Sequence, residues 1–207
     1  MEIFGKNIQP FKKQIHKEFR NKDTGPADLL LGVKIQHLEE GITLDQQHFV
    51  DSLLDLYRMA NCKAVSMLLV PNEHMGAATK DEEKAFKSIK FNLRSSVGSI
   101  NYLSMASCPD LSHTVSSLSP HLQRPGIPHG RAFLKVLKYL HGTQEMGILY
   151  NQKGSPGLIT FSNADWGNCH ITQQATSGFL AQLHGFLVFC KRMKQPCVSI
   201  STAETEY

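Results

Sequence analysis

A chain of 207 residues with 41% apolar side chains is long enough to bury a hydrophobic core, and this composition excludes an intrinsically disordered protein. The net charge of +4 is modest and uneven, because residues 154–207 carry three basic and three acidic side chains and the whole excess lies before them. No apolar run approaches the roughly 20 residues of a membrane-spanning helix, which predicts a soluble protein that does not bind membranes.

The cysteine pattern predicts a reducing environment. The five cysteines are odd in number and scattered, and no Cys-x-x-Cys pair occurs. No signal peptide is apparent at Met1, so we expect an intracellular protein, either cytoplasmic or nuclear. Cys169-His170, His184 and Cys190 lack the short paired spacings of structural zinc sites, and zinc is not expected.

The first predicted element is an amphipathic helix over residues 8–20. Phe11, Ile15 and Phe19 recur every four residues and are expected to join the core. The basic side chains between them are weak candidates for nucleic-acid contacts, and a solvated basic face is the alternative. These are Lys12, Lys13 and Lys17.

A β-hairpin is predicted next, with strands over residues 29–38 and 42–44 joined by a turn at Glu39-Glu40-Gly41. Asp45 is expected to cap a helix that ends near Met59. Its inward side chains would be Phe49, Leu53 and Leu56. Three further helices are expected: Asp81 to about Ser107, Leu111 to Leu122 with Asp110 as its N-cap, and Pro128 to Leu140 closed by Gly142.

Residues 151–157 are rich in turn-forming side chains and predict a linker. Beyond it, an apolar strand ends in Ser162-Asn163-Ala164-Asp165-Trp166, and two apolar runs at 177–183 and 185–190 predict a hairpin. Ser201 and Glu204 have the spacing of a helix capping box. We therefore expect a three-stranded antiparallel sheet followed by the start of a helix.

Several of these segments resemble the Pol polyproteins of copia-type LTR retrotransposons. The C-terminal motifs are similar to the family's Ser-Asp-Ala-Asp-Trp and Ser-Ser-Thr-Glu-Ala-Glu-Tyr. Further similar segments stand upstream in the same order as in the family: residues 31–35, 97–103, 109–110 and 137–143. The resemblance covers nearly the whole chain.

The resemblance implies an α+β fold with a reverse-transcriptase remnant made of a small hairpin plus a helix, a helical connection, and a truncated ribonuclease H-like antiparallel sheet. The corresponding parts are residues 1–65 (palm end and thumb-like segment), 66–150 (connection), 151–157 (linker) and 158–207 (ribonuclease H-like domain). The family's Tyr-x-Asp-Asp turn, which holds the polymerase metals, would stand immediately before Met1.

The family's activity is RNA-directed DNA synthesis with ribonuclease H cleavage, which implies Mg²⁺ as cofactor. An RNA:DNA hybrid and the remainder of the polyprotein are the implied partners. By motif position, Asn163 stands where the first catalytic acid belongs, and Glu206 is the remnant helix acid and the metal-ligand candidate. Asp165 and Glu204 are possible secondary residues. The third acid would come from a strand beyond Tyr207.

Three functions therefore remain open. The first is a catalytically inactive polyprotein fragment, because a neutral Asn163 replaces a carboxylate that Mg²⁺ prefers. The second is a non-catalytic module that binds RNA:DNA hybrids or single strands. The third is a ribonuclease H completed by elements of another chain. Cys108 also stands where relatives have an Arg before Pro-Asp, and a thiol cannot replace a guanidinium.

Overall fold

The computed structural model describes residues 9–22, 25–68, 75–89, 91–151, 157–166 and 174–206. These residues form a mixed structure of helices and two antiparallel sheets, which confirms the expected α+β class. Within them, no helix is both long and apolar enough to cross a bilayer. Residues 152–156 of the expected linker lie outside the described part, and the predicted domain boundaries stay a prediction.

The first sheet has four strands in the order β1-β2-β3-β4: Leu29–Leu30, Val33–Leu38, Gly41–Asp45 and Ile148–Asn151. Strands β2 and β3 form the predicted hairpin, with Leu38 opposite Gly41. Strand β4 comes from about a hundred residues later and pairs Asn151 with Gly41. A side chain at residue 41 would collide with the main-chain carbonyl of Tyr150, so this pairing requires glycine.

Five helices form the central part: α2 (Gln47–Leu56), α3 (Lys80–Ser88), α4 (Leu93–Ala106), α5 (Ser112–Leu118) and α6 (Ile127–Thr143). They share one hydrophobic core, in which the most buried side chains come from α4, α6 and the turn before α5. Fully buried members of this core include Ile100, Leu103, Leu111, Leu118, Phe133 and Val136. The core packing fixes α5 in place, and α5 carries one wall of the site described below.

Several predicted details of these helices are wrong. Leu56 is 70% exposed, whereas Val50 and Leu54 are buried beside Leu53. Two helices replace the single one expected over residues 81–107: Thr79 caps α3 with a capping box to Glu82, and Asn92 caps α4. Asp110 lies inside a 3₁₀ turn, Pro109–Leu111, rather than at an N-cap.

Helix α1 (Gln9–Glu18) forms as predicted, but the prediction that its apolar stripe joins the core is wrong. None of its residues is buried, and the Phe11 and Phe19 side chains are 64% and 68% exposed. The spacing of apolar residues correctly indicates a helix with two different faces. It does not show whether another element covers the apolar face.

The second sheet has the three predicted antiparallel strands, β5 (Leu158–Asp165), β6 (Thr176–Leu183) and β7 (Phe186–Lys194), in that order. The β6–β7 turn uses His184 and Gly185, both with positive φ. Helix α7 (Thr202–Glu206) follows and lies beside β5. The Tyr150 hydroxyl donates a hydrogen bond of 3.1 Å to the Leu187 carbonyl, which joins β4 of the first sheet to β7 of the second.

Candidate functional site

A groove of about 430 Å³ lies between one face of the second sheet and the segment that leads into α5. The sheet side supplies the end of β5 and the middle of β6 and β7, and the helical side supplies residues 109–113. Its polar and charged side chains include both predicted β5 residues. The polar and charged residues that line it are Asp110, Ser112, His113, Ser162, Asn163, Asp165, Thr176, Lys191 and Arg192.

The register of the sheet explains why these side chains meet. Asn163 pairs with Gly178, and Gly178 pairs with Arg192, so the three form one row across the strands. Directly opposed residues of antiparallel strands have their side chains on the same face. Because Gly178 has no side chain, the floor of the groove is open between the Asn163 amide and the Arg192 stem.

Arg192 connects the sheet to the helical part. Its guanidinium Nη1 donates to the main-chain carbonyl of His113 at 3.4 Å and to Ser117 Oγ at 3.5 Å. Burial lowers the pKa of Arg192, and the nearby Asp165 carboxylate raises it. An arginine remains protonated under such influences, so the groove contains a permanent positive charge.

His113 is affected by the same two side chains. Burial lowers its pKa, the Arg192 charge lowers it further, and the Asp165 charge raises it. Asp165 is therefore close enough to both bases for their charges to interact. Asp165, a secondary site residue predicted from the sequence, thus has two basic electrostatic partners in the groove.

Asp110 forms the opposite edge of the groove. Its Oδ2 accepts a hydrogen bond from the hydroxyl of Tyr139 on α6. Burial and this bond together raise the pKa of Tyr139 to about 12. The phenol therefore stays protonated at neutral pH and keeps one lone-pair direction of Asp110 occupied.

The acidic residues of α7, Glu204 and Glu206, do not line the groove. Glu204 Oε2 accepts from the amide of Ile200 at 2.7 Å, and Ser201 Oγ accepts from the amide of Glu204 at 3.1 Å. This is the expected capping interaction, although the carboxylate contacts the amide one residue before Ser201. Glu206 is exposed and does not line the groove.

A glutamine side chain anchors α7 to the second sheet. Gln195 Nε2 donates to the Thr205 carbonyl at 2.7 Å and to Ser177 Oγ at 2.8 Å. Ser177 is adjacent to Gly178 in β6, so its side chain lies on the sheet face opposite the Asn163 row. The structure therefore places α7 beside β5 without bringing Glu206 into the groove that Asn163 and Asp165 line.

The side chains of the groove do not fit a pair of magnesium ions. Two-metal hydrolysis needs several carboxylates around adjacent ions, and magnesium prefers charged oxygen ligands. In the described part of the chain, no group of three His, Cys, Asp or Glu side chains is placed to hold a metal ion. Asn163 contributes a neutral amide, and a guanidinium stands in the same row.

Three basic residues that line the groove, His113, Lys191 and Arg192, were not predicted from the sequence. The period-two alternation of β7 puts Arg192 on the same face as Cys190, a signal that the sequence contains. The sequence does not show that this face packs against α5, because His113, whose carbonyl Arg192 contacts, is 79 residues away in the chain.

Two other predicted positions lie outside the groove. Cys108 is half-buried, with its Sγ 3.5 Å from Ser107 Oγ, and burial raises the pKa of the thiol. The three lysines of α1 do not line the groove either. Their role in binding nucleic acid stays a prediction.

Comparison with known proteins identifies the family. The chain is 30% identical over 216 aligned positions to the retrovirus-related Pol polyprotein from transposon TNT 1-94 of Nicotiana tabacum, an alignment that covers 100% of this chain. It is 29% identical over 196 residues to an uncharacterised mitochondrial protein of Arabidopsis thaliana, covering 94% of this chain and 78% of that protein. The chain belongs to the Pol polyproteins of copia-type retrotransposons. It spans 16% of the tobacco Pol polyprotein.

A shorter match extends the range of relatives of this copia-type fragment. A secreted RxLR effector protein of Plasmopara viticola is 37% identical over 113 residues, which cover 55% of this chain and 80% of that protein. No protein-family model matches the copia-type fragment, and no solved structure matches it.

Proposed function

We propose that this Pol polyprotein fragment corresponds to the end of a reverse transcriptase running into the first half of a ribonuclease H domain, and that its ribonuclease H centre is inactive. The order of elements supports the proposal: a hairpin with a helix, a helical middle, and a three-stranded antiparallel sheet followed by a helix. The alignment with the tobacco polyprotein, which covers 100% of this chain, supports it further.

The row formed by Asn163, Gly178 and Arg192 carries the proposal of inactivity. A carboxylate at residue 163 would give magnesium a charged oxygen, whereas the amide gives only a neutral carbonyl. The guanidinium in the same row adds a positive charge that opposes a second cation. Both features act against the pair of ions that in-line phosphodiester hydrolysis needs.

The test compares three proteins on a labelled RNA:DNA hybrid with Mg²⁺ or Mn²⁺. They are the native chain, its Asn163→Asp variant, and that variant extended by the remaining ribonuclease H half of the tobacco relative. We expect cleavage only from the extended variant, which adds the acids of the later elements. Cleavage by the native chain that disappears on Glu206→Gln would refute the proposal.

Helix α1 favours nucleic-acid binding as a second function. It presents the exposed ring of Phe11 among lysines, and the exposed ring of Phe19 directly follows its last residue. Exposed aromatic rings beside basic side chains are typical of proteins that bind single strands, since rings stack on bases and lysines contact phosphates. This observation supports a module that retains binding without catalysis.

A gel-shift titration at several salt concentrations tests the binding function. We expect retention of a labelled hybrid or single strand that weakens steeply with salt, since phosphate contacts release counterions. The variant Lys13→Gln/Lys17→Gln should bind less and show a shallower salt dependence than Lys84→Gln/Lys87→Gln, which removes the same charge from α3. Equal binding by the two variants would exclude α1 as the contact.

A third function, an enzyme completed by another chain, is tested by a separate mixing experiment. The native chain would be mixed with a separately expressed second half of a relative's ribonuclease H domain and assayed on the hybrid. Cleavage by the mixture, and by neither half alone, would support this function over the inactive fragment.

A further inference from the structure

The groove contains charged side chains of both signs. On the sheet side, the Asp165 carboxylate and the Arg192 guanidinium lie close enough for their charges to interact. On the helical side, the Asp110 carboxylate is bound by the Tyr139 hydroxyl. The positive charge in the groove is thus supplied by a side chain of the protein itself, the guanidinium of Arg192.

Arg192 is also held in position. Its two hydrogen bonds to His113 and Ser117 are both to groups on α5, which the helical core fixes. A guanidinium is a rigid planar donor that keeps its charge at all physiological pH values. An arginine held in this way cannot be displaced from the groove without breaking contacts between the sheet and the helical part.

We infer that Arg192 is the resident cation of this groove, where its guanidinium neutralises Asp165 and excludes a divalent metal ion from the oxygens of Asn163 and Asp165. The inference rests on the proposed function, because it gives a second reason for the proposed inactivity of the ribonuclease H-like sheet. It predicts that restoring the acid at residue 163 is not sufficient for ion binding.

The test measures Mn²⁺ binding directly, by the loss of the free-ion electron paramagnetic resonance signal at low ionic strength. Two double variants are compared, Asn163→Asp/Arg192→Gln and Asn163→Asp/Arg94→Gln. Both replace one arginine with glutamine and so remove one positive charge. Arg94 is exposed on α4 and does not line the groove, so it serves as the matched control.

We expect the Arg192→Gln double variant to bind Mn²⁺ at least about tenfold more tightly than the Arg94→Gln control, because only the first change removes a charge from the groove. Equal affinities in the two variants would overturn the inference. Circular dichroism spectra of both proteins establish that each is folded before the ion is added.

A second pair of variants tests the same idea without removing Arg192. Ser117→Asp places a carboxylate beside the guanidinium, and Ser116→Asp adds the same charge at the neighbouring position of α5. In the Asn163→Asp background, Ser117→Asp should strengthen Mn²⁺ binding more than Ser116→Asp. The same affinity in both would contradict a blocking role for the Arg192 charge.

The outcomes separate the inference from the proposed function. Cleavage of the hybrid by the native chain would refute inactivity, whatever Arg192 does. No cleavage by the native chain, together with Mn²⁺ affinities that do not change on removing Arg192, would leave inactivity in place and overturn only the inference.

Discussion

The imidazole rings of His121 and His129 are stacked, with centroids 4.2 Å apart and planes 19° from parallel. His129 is fully buried, its Nδ1 accepts from the Gly126 amide at 2.9 Å, and its Nε2 faces the Gly76 carbonyl at 3.1 Å. A backbone N–H can only donate and a carbonyl oxygen can only accept, so His129 is the neutral tautomer with its proton on Nε2.

This stack should make the fold sensitive to acid. Burial lowers the pKa of both histidines, and in His129 the neighbouring His121 lowers it further while Glu82 opposes the shift. The unfolded chain therefore binds protons more readily than the folded one as the pH falls below the ordinary value of 6.5. Stability is lost as the pH decreases below that value and is recovered above it.

We expect urea denaturation midpoints to fall between pH 7.5 and pH 5.5, and to fall less in His121→Phe, which keeps a stacked ring but cannot be protonated. His16→Gln is the control, because His16 is exposed on α1. A pH dependence that is unchanged by His121→Phe would show that other groups control acid stability.

Two glycines should respond to alanine in opposite directions. A Cβ at Gly41 would collide with the Tyr150 carbonyl across β3 and β4, so Gly41→Ala should destabilise the fold by about 2 kcal/mol or more. Gly98 lies inside α4, where a Cβ would meet open space, so Gly98→Ala should stabilise the fold by about 0.5–1 kcal/mol. Thermal melts of both variants check the signs, and a stabilising Gly41→Ala would contradict the β3–β4 pairing.

The sequence predicted elements better than it predicted contacts. The hairpin at Glu39-Glu40 and the three strands of the second sheet follow from local turn and alternation signals. Two of the three side chains predicted to face inward on α2 do so, since Leu53 is buried and Phe49 packs against the core, whereas Leu56 is exposed. The edge of such a stripe is hard to place because each residue turns a side chain through about 100°.

The site was predicted in part, for physical reasons. Asn163 and Asp165 were found because a motif places them on one strand, and they do line one groove. The positions of Arg192 and His113 depend on how the second sheet packs on α5, a tertiary contact without a local signal. The wrong prediction that the apolar stripe of α1 joins the core has the same cause. The spacing of apolar residues does not show whether another element packs against them.

A buried pair of polar side chains provides a further prediction. The Ser107 hydroxyl donates to Gln46 Oε1 at 2.9 Å, while Gln46 Nε2 is buried without a hydrogen-bond partner among the described residues. Gln46→Met alone should destabilise by about 1–2 kcal/mol, because it leaves the Ser107 hydroxyl with only its weak 3.5 Å contact to Cys108 Sγ. Gln46→Met/Ser107→Ala should recover most of that loss, since it removes both members of the polar pair. Urea titrations of the single and double variants measure the coupling free energy between residues 46 and 107. Additive losses of stability would contradict an interaction between the two side chains.

The last prediction concerns the strength of the second sheet. Nearly every residue of β5 is exposed, whereas α4 and α6 contribute fully buried side chains to the core. The described connections of the second sheet to the rest of the chain include one hydrogen bond from Tyr150 and two from Arg192. Local opening requires less free energy where few apolar contacts are lost, so β5 should open more readily than the helical core.

We therefore expect amide hydrogens of residues 158–161 to exchange at least about a hundredfold faster than those of residues 136–140, measured on the native chain by mass spectrometry. Tyr150→Phe should accelerate exchange in β7 and leave α6 unchanged, because it removes one bond between the sheets without a change of shape. Tyr102→Phe is the matched control, since the Tyr102 hydroxyl bonds to the Leu31 carbonyl, far from β7 in the chain. Equal, cooperative protection of β5 and α6 would mean that the second sheet unfolds only together with the helical core, and would contradict the weak attachment argued here.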